Sequence, residues 1–364
     1  MGDTALITFV LTKTEFEVFQ HKVDSAFGLA YKNIEDELVR EQLLRISHEE
    51  YFAYIDNAFY LYSTLIQPIE SLIRSKRLII IPDQSLSFIP IGTLISEKPE
   101  KKTHRYHELK YLIRKYAISY AFSANLLSNN SSRKWNNRLA AFSPGKDVNT
   151  LLIHSKDEVN SLSKHFRSTL FLDSAATKRN FTESLENYDI VHLSMHGRSD
   201  SLNENINLIF EPSSDSNDDG KLNYIDVYNF TSNNSLISLG ACKSGSGKVV
   251  KGEGVLSLVR SFHFAGCSAS ITSLWVLNDF TSSKILPKFY KHLSHGKRKD
   301  IALRKAKLAY IKANKGNIGY PASWGGIVCI GNTRPIAYPK AWIYVTICSL
   351  VVISVIVWQK TRKG

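Results

Sequence analysis

From Arg77 onward the chain repeats one texture: a short apolar run free of Lys, Arg, Asp and Glu, then turn residues, then a stretch with helical spacing. The runs cover residues 78–81, 116–120, 139–142, 190–195, 235–240 and 269–275. A strand with one face in water alternates apolar and polar residues. A strand that is apolar throughout must be covered on both faces, the situation of parallel strands between two helical layers. The spacing therefore predicts an α/β fold, a mostly parallel sheet flanked by helices, over residues 76–331.

Residues 1–75 read differently. Apolar and β-branched residues cluster at 6–11 and 15–20 around Thr12-Lys13-Thr14, which predicts a β-hairpin. From 24 to 75 the apolar residues fall at helical spacing, as in Ile34, Leu38 and Leu43 or Phe52, Ile55, Phe59, Tyr62 and Ile66, and predict two or three helices. Low-complexity sequence is confined to 128–132 and 213–219, expected as surface loops. No internal repeat is evident.

Residues 341–358, AWIYVTICSLVVISVIVW, carry no charge, with Lys340 before them and Lys360, Arg362 and Lys363 after them. A helix of about 18 residues reaches roughly 27 Å, enough to cross a hydrocarbon core. Trp342, Tyr344 and Trp358 stand near its ends, where aromatic rings prefer the headgroup level. The expectation is a linker over 332–340, one transmembrane helix over 341–358 and a basic tail over 359–364. No basic segment followed by an apolar run and a cleavage site marks the front of the chain for export. The catalytic domain is therefore expected on the cytoplasmic side, with the tail outside.

Four cysteines, at 242, 267, 329 and 348, lack the paired short spacings of a zinc site or a disulfide framework, so no metal is expected. The net charge of +13 is concentrated in residues 284–315, where eleven Lys or Arg stand against Asp300 alone. Such a segment attracts anionic lipid headgroups or nucleic acid by a sequence-independent term. Its proximity to 341–358 favours lipid, and no specific nucleic acid is expected; a solvated helix face is the plain alternative.

Two predicted strands end in chemistry. Residues 189–195 deliver His196-Gly197 at their C-terminal end, and 235–241 deliver Cys242. That edge of an open α/β sheet is where ligands bind. An imidazole beside a thiol takes its proton, and the thiolate attacks a carbonyl. Gly197, without a side chain, lets its N–H approach a developing oxyanion, and the N–H of Cys242 supplies a second donor. Each residue alone is weak evidence, since a buried cysteine is usually a small hydrophobe. His192, inside the same strand, reads as a core histidine with a satisfied ring nitrogen. Gly245-Ser246-Gly247-Lys248 only mimics a phosphate loop. The first glycine and the hydroxyl residue of that motif are replaced by Cys242 and Val249.

With these residues in hand, the chain resembles the CHAT domain family, relatives of caspases and separases. The resemblance runs through 78–90, with its two prolines, through 111–120 with Ser123, and through 189–197. It continues in 239–245 with Gly252-Glu253-Gly254, and ends in Ser273-Leu274-Trp275, Asp279, Phe289-Tyr290 and Trp324. His196 precedes Cys242 by about 46 residues, close to the separation in caspases. The resemblance covers roughly residues 1–331. It implies a caspase-like cysteine endopeptidase with His196 and Cys242 as catalytic dyad, a protein substrate, no cofactor, and Trp275 and Asp279 as candidate pocket residues. Lys243 and Ser244 depart from the acidic residue and Thr that often follow the family's cysteine. The helical repeats common ahead of the family's domain are not read here. Recruitment would then come through the membrane, an activating partner or self-association. Membrane-bound relatives suggest bacterial stress or defence signalling. The rival reading is a catalytically silent scaffold at the membrane.

Overall fold

The computed structural model describes residues 4–39, 46–100, 105–128, 136–145, 155–195, 197–199, 206–212, 219–240, 249–250, 254–255, 258–275, 277, 279–315, 319–336, 349–350 and 354. The first elements are the predicted hairpin, β1 (Thr4–Leu11) and β2 (Phe16–Val23), paired antiparallel from Thr4↔Val23 to Leu11↔Phe16. Thr12 closes its turn, because its hydroxyl oxygen accepts from the amides of Thr14 (3.3 Å) and Glu15 (2.9 Å). Two helices follow, α1 (Ser25–Val39) and α2 (His48–Leu65). Ser47 and Glu50 start α2 with a reciprocal capping box, which satisfies two otherwise free amides. Tyr54 then ties α2 to the rest of the chain by donating to the carbonyl of Thr93 at 2.6 Å.

Eight strands form the central sheet: β3 (Arg77–Ile80), β4 (Ala117–Tyr120), β5 (Arg138–Ser143), β6 (Arg167–Leu172), β7 (Ile190–Leu193), β11 (Leu236–Leu239), β14 (Ala269–Ser273) and β15 (Ile327–Gly331). Their order is β3-β4-β15-β14-β11-β7-β5-β6. Every neighbouring pair is parallel except β14 with β15. A small antiparallel ribbon of β8 (Gly197–Ser199), β9 (Ile206–Ile209) and β10 (Lys221–Leu222) follows β7, and β12 (Val249–Val250) pairs with β13 (Gly254–Val255). The helices between strands are α3 (Leu112–Lys115), α4 (Ala124–Ser128), α5 (Ser155–Leu162), α6 (Lys178–Asn187), α7 (Tyr224–Tyr228), α8 (Leu258–Phe264), α9 (Asp279–Ser294), α10 (Lys299–Ala313) and α11 (Pro321–Trp324).

Alternation along β5 and β7 sends neighbouring residues to opposite faces. Phe142 meets Phe181 of α6 on one face (ring centroids 6.0 Å apart), while His192 meets Glu158 of α5 and Tyr290 of α9 on the other. The sheet is thus covered on both sides, as its uninterrupted apolar runs require. All six predicted runs contain a strand. Edge strand β6 was not among them, since Arg167, Ser168 and Thr169 break its apolar run.

Part of the basic segment, expected to face anionic lipid or, in the plain alternative, solvent, is instead packed into the fold. Lys299 and Lys307 are buried, and their ammonium groups donate to the backbone carbonyls of Asn332 and Arg334, and of Gly325, respectively. Arg304 likewise donates to the carbonyls of Ile113 and Arg114. Cations with carbonyl acceptors can be tucked against the sheet, so part of the charge is structural. Among the described residues no helix is long and apolar enough to cross a membrane. Of the apolar run 341–358, only 349–350 and 354 are described.

Candidate active site

The strongest geometric fact about the site is a register. β7 and β11 are hydrogen-bonded parallel neighbours with Leu193 opposite Leu239. In the sequence His196 and Cys242 each come three positions after that pair, and neighbouring strands lie about 4.8 Å apart. Both residues lie outside the described residues, as do 243–248. Gly197 opens β8 and is paired with Leu208 of β9, so the backbone turns into the ribbon directly after the strand.

Behind these strand ends sits a polar group made of fully buried side chains. His192 Nε2 lies 2.9 Å from Glu158 Oε1, and the Tyr290 hydroxyl lies 3.2 Å from His192 Nδ1. Burial holds the Tyr290 phenol well above its ordinary value, so it remains a donor. A phenol that donates into Nδ1 leaves the ring proton on Nε2, where the Glu158 carboxylate accepts it. The expectation of a core histidine with a satisfied ring nitrogen is met. Glu158 also reaches the second strand. A Cβ built at Gly240 would come 3.3 Å from Glu158 Oε1 and 3.2 Å from the Leu193 carbonyl, so the glycine just after β11 is closely approached by both. One carboxylate from α5 therefore pairs with a β7 side chain and lies close to the residue that follows β11. Sequence reasoning missed Glu158, which looks like a solvated helix residue.

Trp275 follows β14 and is packed inside the fold. Its indole N–H donates to the Ala322 carbonyl at 2.9 Å, and its ring lies against Gly326. Asp279 is the first residue of α9. Cys267 and Cys329 are both buried, and the Cys267 thiol donates to the Ala269 carbonyl. Burial pushes the Cys329 thiol up to about 12, which removes it as a nucleophile. Among the described residues no cluster of His, Cys, Asp and Glu is arranged to hold a metal ion.

Comparison with known proteins places these elements in context. Human tetratricopeptide repeat protein 28 is 29% identical over 108 residues, covering 30% of this chain and 4% of that protein, so the chain spans only a small part of its length. Separase in the Saccharomyces cerevisiae separase–securin complex is 13% identical with a TM-score of 0.49, covering 86% of this chain and 21% of that one. The complex of Porphyromonas gingivalis RgpB pro- and mature domains is 9% identical with a TM-score of 0.45, covering 85% and 77%. A family model for the CHAT domain matches residues 57–332, from the middle of α2 to just past β15. With a match over most of its length, the chain belongs to the CHAT domain family.

Proposed function

We propose that the protein is a cysteine endopeptidase that cleaves protein substrates with Cys242 as nucleophile and His196 as base, and that residues 341–358 anchor it in a membrane. The register of β7 and β11 carries this reading. Equal extensions of these two adjacent parallel strands would bring both residues to one edge of the sheet. His196 takes the thiol proton, the thiolate attacks the peptide carbonyl, and the tetrahedral oxyanion is met by the N–H groups of Gly197 and Cys242. Collapse of that intermediate passes the proton from His196 to the departing amine. Water, deprotonated by His196, then hydrolyses the thioester and frees the thiol. The chemistry needs no metal or organic cofactor. Trp275 and Asp279 are assigned to the substrate side of the site.

The catalytic domain is placed on the cytoplasmic face, in stress or defence signalling, with activation by a partner or by self-association. The test is a peptide bearing an electrophile, applied to the full chain, with mapping of the modified cysteine. Labelling at Cys242 is expected. Cys242→Ala and His196→Ala should each abolish cleavage without adding to one another, because the pair acts as one unit. Labelling at Cys267 or Cys329, or cleavage by Cys242→Ala, overturns the assignment and favours the silent scaffold.

A further inference from the structure

One end of the central sheet collects exposed lysines. Where the strands β5, β6, β7, β11 and β14 begin, lysines and histidines gather from three stretches of chain. Lys164 and His165 lie between α5 and β6, Lys291 and His292 are near the end of α9, and His295 and Lys297 make the turn into α10, whose second turn carries Lys305. Burial and then His295, Lys291 and Lys164 hold the His165 ring below its ordinary pKa. Burial and then Lys305, His295, Lys291 and Lys297 act the same way on His292. The neighbours acting on both rings are thus lysines and one histidine from α9, α10 and the turns beside them. Lys164, Lys291, Lys297 and Lys305 are exposed, and none is in an ion pair among the described residues. Like charges assembled without ion-pair partners repel, so such a surface is relieved by an anionic partner.

The chain leaves the domain at this same end. β15 runs antiparallel to β14, so its last residue, Gly331, pairs with Ala269, the first of β14. Thr333 then accepts from Arg77 (2.7 Å) and Arg298 (2.9 Å), and Ile336 is still buried. Five positions separate Ile336 from the uncharged run that begins at 341. At no more than 3.6 Å per residue, that run starts within about 18 Å of Ile336. The ends of β7 and β11 that precede His196 and Cys242 lie at the opposite end of the sheet.

We infer that the end of the sheet carrying Lys164, Lys291, Lys297 and Lys305 rests on acidic phospholipid headgroups of the membrane that residues 341–358 enter, so that the strand ends preceding His196 and Cys242 face away from the bilayer. The inference rests on the anchored reading above. The attraction fades within about 8–10 Å of the headgroups, so only this end engages them.

The test reconstitutes the full chain in phosphatidylcholine vesicles with and without phosphatidylglycerol and maps lysine acylation by mass spectrometry. Lys164, Lys291, Lys297 and Lys305 should be protected severalfold by phosphatidylglycerol at low salt and lose protection at high salt. Lys312, exposed near the far end of α10, should be labelled equally throughout. Lys291→Glu with Lys305→Glu should abolish the protection of Lys164 and Lys297. Labelling indifferent to lipid charge and salt, or protection of Lys312 instead, overturns the inference. Protection of the same lysines by short duplex DNA but not by phosphatidylglycerol would assign the surface to nucleic acid. Flotation separates the two readings. A chain that fails to float with neutral vesicles yet shows the protection loses its anchor but keeps this surface. One that floats with neutral vesicles without lipid-dependent protection keeps the anchor and loses the surface.

Discussion

His263 shows how burial sets a side chain's chemistry at the scale of one residue. It is shielded from water, its Nε2 is 3.2 Å from the Ser270 hydroxyl, and its ring meets Phe122 edge-on. A Cβ on Gly331, which holds a positive φ of 88°, would come 2.5 Å from His263 Cε1, so that glycine serves both backbone and ring. Burial lowers the His263 pKa to about 4, from 6.5 in the unfolded chain. The unfolded state therefore takes up the proton first. Stability is complete above pH 6.5, falls as the pH drops from there, and levels off near pH 4. The loss from this ring is on the order of 3 kcal/mol. His263→Gln removes the titration, so urea midpoints measured from pH 7.5 to 4.5 should fall less steeply in the variant than in the parent. Parallel falls would show that another group governs acid lability. Nothing in the sequence marked this histidine. His192 was legible because it interrupts an otherwise apolar strand.

Among elements, the buried contact of α5 and α9 with β7 lies next to the strand end that precedes His196. Glu158 and His192 are both buried, so removing either leaves the other polar group without its partner, at a cost of about 1–3 kcal/mol. Removing both with apolar residues of similar size avoids that penalty. Glu158→Leu and His192→Phe should each destabilise, and the double variant should be more stable than the sum predicts by about 1–3 kcal/mol, read from urea unfolding. Additive effects would mean that the two side chains do not act together. Their contact was illegible in the sequence because it joins residues 34 apart, and a Glu on a short helix looks solvated. The six apolar strands were legible for the opposite reason, since burial on both faces leaves a mark on every residue. β15 emerged only through the family resemblance. The basic segment was misjudged in part because a count of lysines cannot distinguish an ammonium in water from one that donates to buried carbonyls.

For the whole molecule, the question is where the domain stops. The family match ends at residue 332, yet Thr333 and Ile336 are buried. Residues 332–336 also supply acceptors that the core needs. The Lys299 ammonium donates to the carbonyls of Asn332 (2.9 Å) and Arg334 (3.1 Å), and its backbone amide donates to that of Thr333 (3.0 Å). Burial lowers the Lys299 pKa to about 8, so at neutral pH it remains charged and depends on those carbonyls. Arg77 and Arg298, which flank the buried Asp300 carboxylate, both donate to the Thr333 hydroxyl oxygen. We therefore expect a chain truncated after Lys340 to fold and to keep intrinsic activity on a small peptide. Truncation after Gly331 should strand the Lys299 ammonium in the interior and loosen the charged group around Asp300. Breaking a buried charge's partners costs on the order of 3–5 kcal/mol, a large share of a domain's usual stability. Urea unfolding of the two truncated chains at pH 7 makes the comparison. The shorter one should unfold at a clearly lower midpoint or fail to accumulate as folded protein, and Lys299→Met in that background should recover part of the loss by removing the stranded charge. Equal midpoints for the two lengths would place the end of the domain at β15 and make residues 332–336 dispensable.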